Sequence, residues 1–221
     1  MINNDIEKNT VSAEQQVKEK LKIFDEVQGG KRIVFLGNSI TLHETNSDIG
    51  WNCNWGMAAS CEENDYVHIV LKGLEKKYGA VNYCITKVGE WEKNYWKQDV
   101  LESFYASADF GADIVIVRLG ENVNRLKLAE CDFEKYFETF VRYFTGKAKK
   151  IIITDLFWQY KEIDEKIKNV CQRIHGCFVG LADLGYDDEN KALGLFWHEG
   201  VALHPGDKGM AKIAERILAA I

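Results

Sequence analysis

Three short stretches hold side chains whose types and spacing suit acyl transfer. The first is Phe35-Leu36-Gly37-Asn38-Ser39-Ile40-Thr41, where a serine follows an apolar, β-rich run and a glycine stands two residues before it. A serine at a strand end with a turn or helix after it presents its hydroxyl at the rim of a sheet, where backbone N–H groups face the same space. The same residue type also caps turns. The second stretch is His204-Pro205-Gly206-Asp207. Proline suits a helix start and fixes the direction of the histidine before it, and Asp207 in the first turn complements the helix dipole. In the third, Arg118-Leu119-Gly120-Glu121-Asn122, an amide follows a buried strand, placed either to donate to a developing oxyanion or to complete a turn.

These stretches must be brought together by the elements around them. Apolar runs at Arg32 to Leu36, Val81 to Thr86, Asp113 to Leu119 and Lys150 to Thr154, with a weaker one at Cys177 to Leu181, read as strands buried on both faces. Helical spacing marks Tyr66 to Tyr78, Glu92 to Tyr105, Cys131 to Phe144, Asp164 to Ile174 and Asp207 to Ala220. Strands alternating with helices predict right-handed crossovers and a three-layer α/β/α sandwich, with a central five-stranded parallel sheet of flavodoxin-like type. In such a sheet the reactive loops lie beyond the C-terminal strand ends, which is where Ser39, Gly89, Asn122 and Asp155 fall. Ahead of the sheet, Ser12 to Val27 has Val17, Leu21 and Phe24 at helical spacing and is stopped by Gly29-Gly30. This predicts an amphipathic helix within residues 1–30, packed on a single domain formed by residues 31–221.

Taken in order, the stretches resemble the blocks of the SGNH hydrolase superfamily, the GDSL-type esterases and lipases, from about Lys31 to the C-terminus. The resemblance makes Ser39 the nucleophile, Asn122 of Gly120-Glu121-Asn122 an oxyanion donor and His204 the general base. Gly89 stands where the second-block glycine is expected, so the oxyanion hole would combine the Ser39 and Gly89 N–H groups with the Asn122 amide. Two positions depart from the pattern. Asn38 replaces the aspartate of Gly-Asp-Ser, and a neutral amide can keep the hydrogen bonds of that turn. Val201 stands where the family has the aspartate three residues before the histidine. Either Glu199 orients His204 from a displaced place, or a backbone carbonyl does so and a Ser-His dyad remains. The implied reaction is ester hydrolysis through an acyl-enzyme, needing neither metal nor cofactor.

Composition narrows the partners. A chain of 221 residues with 46% hydrophobic residues, one proline and 18 glycines is neither disordered nor collagen-like. A net charge of -6 gives no general attraction to nucleic acid or anionic lipid. No stretch has the length and apolarity of a signal peptide or a membrane span, which predicts a cytoplasmic protein. The six cysteines are scattered, without C-x-x-C spacing. Trp51 and Trp55 alternate with Asn52 and Asn54 after the nucleophile, and Trp197 lies near His204. Aromatic faces beside amides suit a sugar, so these three tryptophans are candidate substrate contacts for a carbohydrate ester, although tryptophan also packs cores. The expected function is removal of small acyl groups, acetyl among them. The competing reading is a non-catalytic carbohydrate-binding protein on a decayed hydrolase fold, and an FMN or phosphate binder with Gly37 to Thr41 as its loop leaves His204 without a purpose.

Overall fold

The computed structural model describes residues 20–146 and 148–221. Five strands, β2 (Lys31–Gly37), β3 (Val81–Lys87), β4 (Ile114–Arg118), β5 (Lys150–Thr154) and β6 (Cys177–Val179), pair in parallel in the order β3-β2-β4-β5-β6. This is the expected α/β sandwich. Both faces of the sheet are buried, which explains the unbroken apolar runs. Side chains alternate between two cores: Val34, Leu36, Val115 and Val117 face one, Ile33, Phe35, Ile114 and Ile116 the other.

A sixth strand was not foreseen. Leu21–Phe24 forms β1, which pairs antiparallel with β3 at the sheet edge, Leu21 opposite Thr86 and Phe24 opposite Tyr83. The described part of the expected leading helix is therefore a strand. Hydrogen bonds to β3 and the stacking of Phe24 on Tyr83, 5.5 Å between centroids, outweigh the weak helical spacing of Leu21 and Phe24. Residues 12–19 of that predicted helix lie outside the described residues.

Helices α1 (Tyr66–Tyr78), α2 (Gly89–Lys93), α3 (Tyr105–Asp109), α4 (Phe133–Thr145), α5 (Lys161–Arg173), α6 (Glu199–Ala202) and α7 (Asp207–Ala219) complete the layers. Helix α4 shows why its sequence is helical: Phe133, Phe137, Phe140, Val141 and Phe144 recur at one face and are buried, and Asp132 caps the start by accepting from the Lys135 N–H. The single helix expected over Glu92 to Tyr105 is instead α2, a 3-10 segment Gln98–Phe104 and then α3. Trp91 and Tyr95 are both drawn into the core, their rings 6.2 and 5.3 Å from that of Phe133, so the chain turns inward after Lys93.

The sheet order places the reversal of winding between β2 and β4, the crevice where ligands of such sheets bind. Gly37, the last residue of β2, is confined there. A Cβ at this position would lie 1.8 Å from Thr41 Oγ1 and 2.7 Å from the Arg118 carbonyl oxygen. Gly37→Ala is expected to cost about 1–3 kcal/mol by overpacking the turn before Ser39. Urea denaturation would read this, and a wild-type midpoint would show that the turn accommodates the methyl.

Candidate active site

Ser39 follows β2 in a turn closed by the Thr41 and Leu42 N–H groups, which both donate to the Asn38 carbonyl oxygen. The Ser39 hydroxyl lies 2.8 Å from His204 Nε2. His204 follows α6 and is fixed by its backbone: its N–H donates to the Val201 oxygen, and its carbonyl accepts from the Ala192 N–H. Its Nδ1 lies 2.6 Å from the Gly200 carbonyl oxygen. A carbonyl only accepts, so Nδ1 carries the proton and Nε2 offers its lone pair to the Ser39 hydroxyl. The edge of Trp158 packs against the imidazole at 4.9 Å, and withdrawal from water lowers the His204 pKa to about 4.

Glu199 does not take part in this arrangement. It is exposed in the first turn of α6, and the Gly200 carbonyl occupies the place at Nδ1 that the acid would need. Two other carboxylates are also committed elsewhere. Asp155 accepts from the Leu181 N–H and is raised to about 6 by burial, while Asp183 pairs with Arg216.

Ser39, Gly89, Asn122 and His204 line one cavity of about 560 Å³. Gly89 is the first residue of α2, and neither its N–H nor that of Ser39 donates to another described residue. The cavity continues past them between Leu21, Ile49, Met57, Phe104 and Val201. His43, Glu44 and Lys87 form a polar side. Lys87 donates to Glu44 at 2.5 Å. Burial works against the Glu44 charge, but Lys87 holds the carboxyl below the usual range. Burial, and then Lys87, lower the His43 pKa to about 4.

The three tryptophans proposed as substrate contacts do not line this cavity. Trp51 is 2% exposed, donates its indole N–H to the His43 carbonyl and packs on Trp55 and Phe196 at 6.0 Å each. Trp55 donates to the Ala59 carbonyl. These two shape the loop behind His43 from within a small core of their own. Trp197 is 74% exposed and lies over Gly50, where an added Cβ would come within 2.3 Å of its Nε1. Apolar and polar wall residues from β1, β3 and the 3-10 segment take the place foreseen for the indoles. A Leu or Phe in such a segment has no local mark that separates a cavity wall from a core.

Beneath the cavity lies a buried charged network that sequence reading missed. Arg118, fully buried, donates Nη1–H to Asn38 Oδ1 at 2.7 Å and pairs through Nη2 with Glu121. Asn38 donates its amide to Glu121 at 2.6 Å and to Glu92 at 3.2 Å. Glu92, also fully buried, accepts from the Gly120 N–H at 2.6 Å and from the Asn122 side-chain amide at 2.9 Å. Burial, then the neighbouring Glu121, raises the Glu92 pKa. An aspartate at position 38 would set a third carboxylate against Glu92 and Glu121, so the asparagine fits this site electrostatically.

All six cysteines are free, and among the described residues no group of three or more His, Cys, Asp or Glu side chains is arranged to hold a metal ion. No helix of the described residues is long and apolar enough to cross a membrane.

The α/β sandwich matches SGNH hydrolase structures in fold. Its structural neighbours are GDSL/SGNH-type esterases at low sequence identity. A two-domain esterase (CEX) active on acetylated mannans superposes with a TM-score of 0.57 at 17% identity, over 86% of this chain and 48% of that one. The chain thus spans about half of that esterase. A catalytic mutant of Axe2, an acetylxylan esterase from Geobacillus stearothermophilus, gives 0.52 at 15% identity, covering 86% of this chain and 94% of that one. The salicylyl-acyltransferase SsfX3 of a tetracycline biosynthetic pathway gives 0.54 at 13% identity, over 87% of this chain and 54% of that one. No protein-family model and no curated protein matches the sequence.

Proposed function

We propose that the chain is a serine esterase that hydrolyses small acyl esters, acetyl among them, of a carbohydrate or similarly polar alcohol. The observation that carries this reading is the hydrogen bond from the Ser39 hydroxyl to His204 Nε2, made at the wall of a cavity that Asn122 and Gly89 also line. His204 takes the Ser39 proton as Oγ attacks the ester carbonyl. The oxyanion is held by the Ser39 and Gly89 N–H groups and the Asn122 amide. Collapse of the tetrahedral intermediate expels the alcohol, which receives the proton from His204. Water, deprotonated by the same imidazole, then releases the acid and restores the Ser39 hydroxyl.

The dyad is oriented by the Gly200 carbonyl, which fixes the tautomer without adding a negative charge beside the imidazolium. For the substrate, support comes from neighbours named as esterases of acetylated mannan and of acetylxylan, and from a structure of the first co-crystallised with mannopentaose. A volume of about 560 Å³ lies within the range of small-molecule sites, roughly 300–1,000 Å³. The binding-protein alternative draws on Asn38 and on the acid missing at Val201, and both have a place here: Asn38 bonds Arg118, Glu92 and Glu121, and the Gly200 carbonyl stands at His204 Nδ1.

The test is labelling with a fluorophosphonate followed by mass mapping of the adduct. A stoichiometric adduct on Ser39, blocked by prior incubation with an acetylated oligosaccharide that the protein hydrolyses, is expected. Absence of labelling, with p-nitrophenyl acetate left intact, would overturn the reading.

A further inference from the structure

Glu92 is a buried carboxylate whose partners come from the residue before Ser39 and from the loop that carries Asn122. It stands in α2, three residues after Gly89. Its Oε1 accepts from the Gly120 N–H at 2.6 Å, from the Asn122 backbone N–H at 3.3 Å and from the Asn38 amide at 3.2 Å. Its Oε2 accepts from the Asn122 side-chain amide at 2.9 Å. One side chain thus ties the helix that begins with Gly89 to the loop after β4 and to the residue preceding Ser39.

We infer that Glu92 is a positioning residue for oxyanion stabilisation, holding one N–H of the Asn122 amide so that the other is presented to the cavity. An asparagine amide has two N–H donors and a freely turning side chain. With one donor committed to Glu92, rotation about the Asn122 side chain is stopped, and a pre-oriented donor costs no reorganisation when the charge develops. The same carboxylate accounts for Asn38, whose amide is needed as a donor to Glu92 and Glu121 where a carboxylate would be repelled. This inference rests on the esterase reading, and it adds a residue that does not touch the substrate.

Glu92→Gln keeps the volume of the side chain but turns one accepting oxygen into a donor. Whichever way the new amide turns, it faces either the Gly120 and Asn122 backbone N–H groups or the Asn122 side-chain N–H. The expected result on p-nitrophenyl acetate is a kcat lowered by about ten- to a hundredfold with KM changed by less than about twofold, because the loss is felt in the transition state. Asn122→Ala is expected to lower kcat by about 10²–10³. The double variant is expected to be no slower than Asn122→Ala alone, since Glu92 acts through that amide.

A Glu92→Gln variant within twofold of wild-type kcat, or losses that multiply in the double variant, would overturn the inference and leave Glu92 a scaffold residue. A second readout does not need turnover. The Asn122 side-chain amide protons are expected to exchange at least about tenfold faster in Glu92→Gln than in the wild type, and equal exchange would equally overturn it. If the wild type shows no Ser39-dependent hydrolysis, the esterase reading fails on that result, and amide exchange still decides whether Glu92 fixes Asn122.

Discussion

Ser39→Ala and His204→Ala are each expected to lower kcat on p-nitrophenyl acetate by about six orders of magnitude, and the double variant by no more than either alone. The two groups act as one unit: without the imidazole the hydroxyl has no acceptor for its proton, and without the hydroxyl the imidazole has nothing to activate. Glu199→Gln, in contrast, is expected to stay within about twofold of the wild type. Loss of an orienting acid in a triad costs about 10⁴, so the contrast separates a displaced triad from a dyad held by the Gly200 carbonyl at 2.6 Å. The pH dependence carries the same information. The imidazole works as a base only when neutral, and burial has lowered its pKa to about 4. The kcat/KM profile is therefore expected to rise as pH increases through about 4 and to be flat by pH 6. A rise centred near the ordinary 6.5 would mean that the ring is wetter, or closer to a carboxylate, than this geometry has it. Loss of activity in Glu199→Gln by more than about a thousandfold would restore the acid to Glu199.

The parts of this site that were legible in the sequence are those whose chemistry and position are encoded together over a few residues. Phe35-Leu36-Gly37-Asn38-Ser39 states a buried strand, a glycine at its end and a hydroxyl two residues beyond it. The stretch at Arg118 to Asn122 does the same for the amide, and the sheet order then brings both to one crevice. What was not legible depends on partners far away in the chain. Leu21 and Phe24 stand three apart, as in a helix, and become a strand because the edge of β3 supplies Thr86 and Tyr83 as partners. Glu92 sits among Glu90, Lys93 and Asn94 and looks like part of a solvated face. Its burial follows from Trp91, which sinks into the core beside it and packs at a tilt against Phe140, 4.2 Å between centroids. Trp51 and Trp55 misled for a related reason. Alternation with asparagines suggests a polar wall, but their indole N–H groups are satisfied by the His43 and Ala59 carbonyls inside the fold. Side-chain type reports what a residue can bind, and only tertiary packing decides whether the partner is substrate or backbone.

The largest effect on stability is expected from Arg118→Met. The guanidinium is 0% exposed and makes its hydrogen bonds to Asn38 and Glu121. Methionine restores most of the volume, so the variant tests charge more than cavity. Removing one partner from a buried pair leaves the other charge uncompensated, a loss of about 3–5 kcal/mol. The deficit should itself depend on pH. Burial and the adjacent Glu121 hold the Glu92 pKa above its ordinary 4.5. A carboxyl raised on folding stabilises the native state fully below its unfolded pKa, and this contribution is lost as pH rises through the folded value. In Arg118→Met, Glu121 is left without its partner beside Glu92, so ionising Glu92 sets two uncompensated carboxylates together, and urea denaturation is expected to give a smaller gap between Arg118→Met and wild type at pH 4.5 than at pH 7. Adding Glu121→Gln to Arg118→Met removes the stranded charge while keeping the shape, and is expected to recover a substantial part of the loss. A double variant as unstable as Arg118→Met alone would instead assign the cost to lost packing and to the unpaired Asn38 oxygen, and the network would then be a set of hydrogen bonds more than a balance of charges.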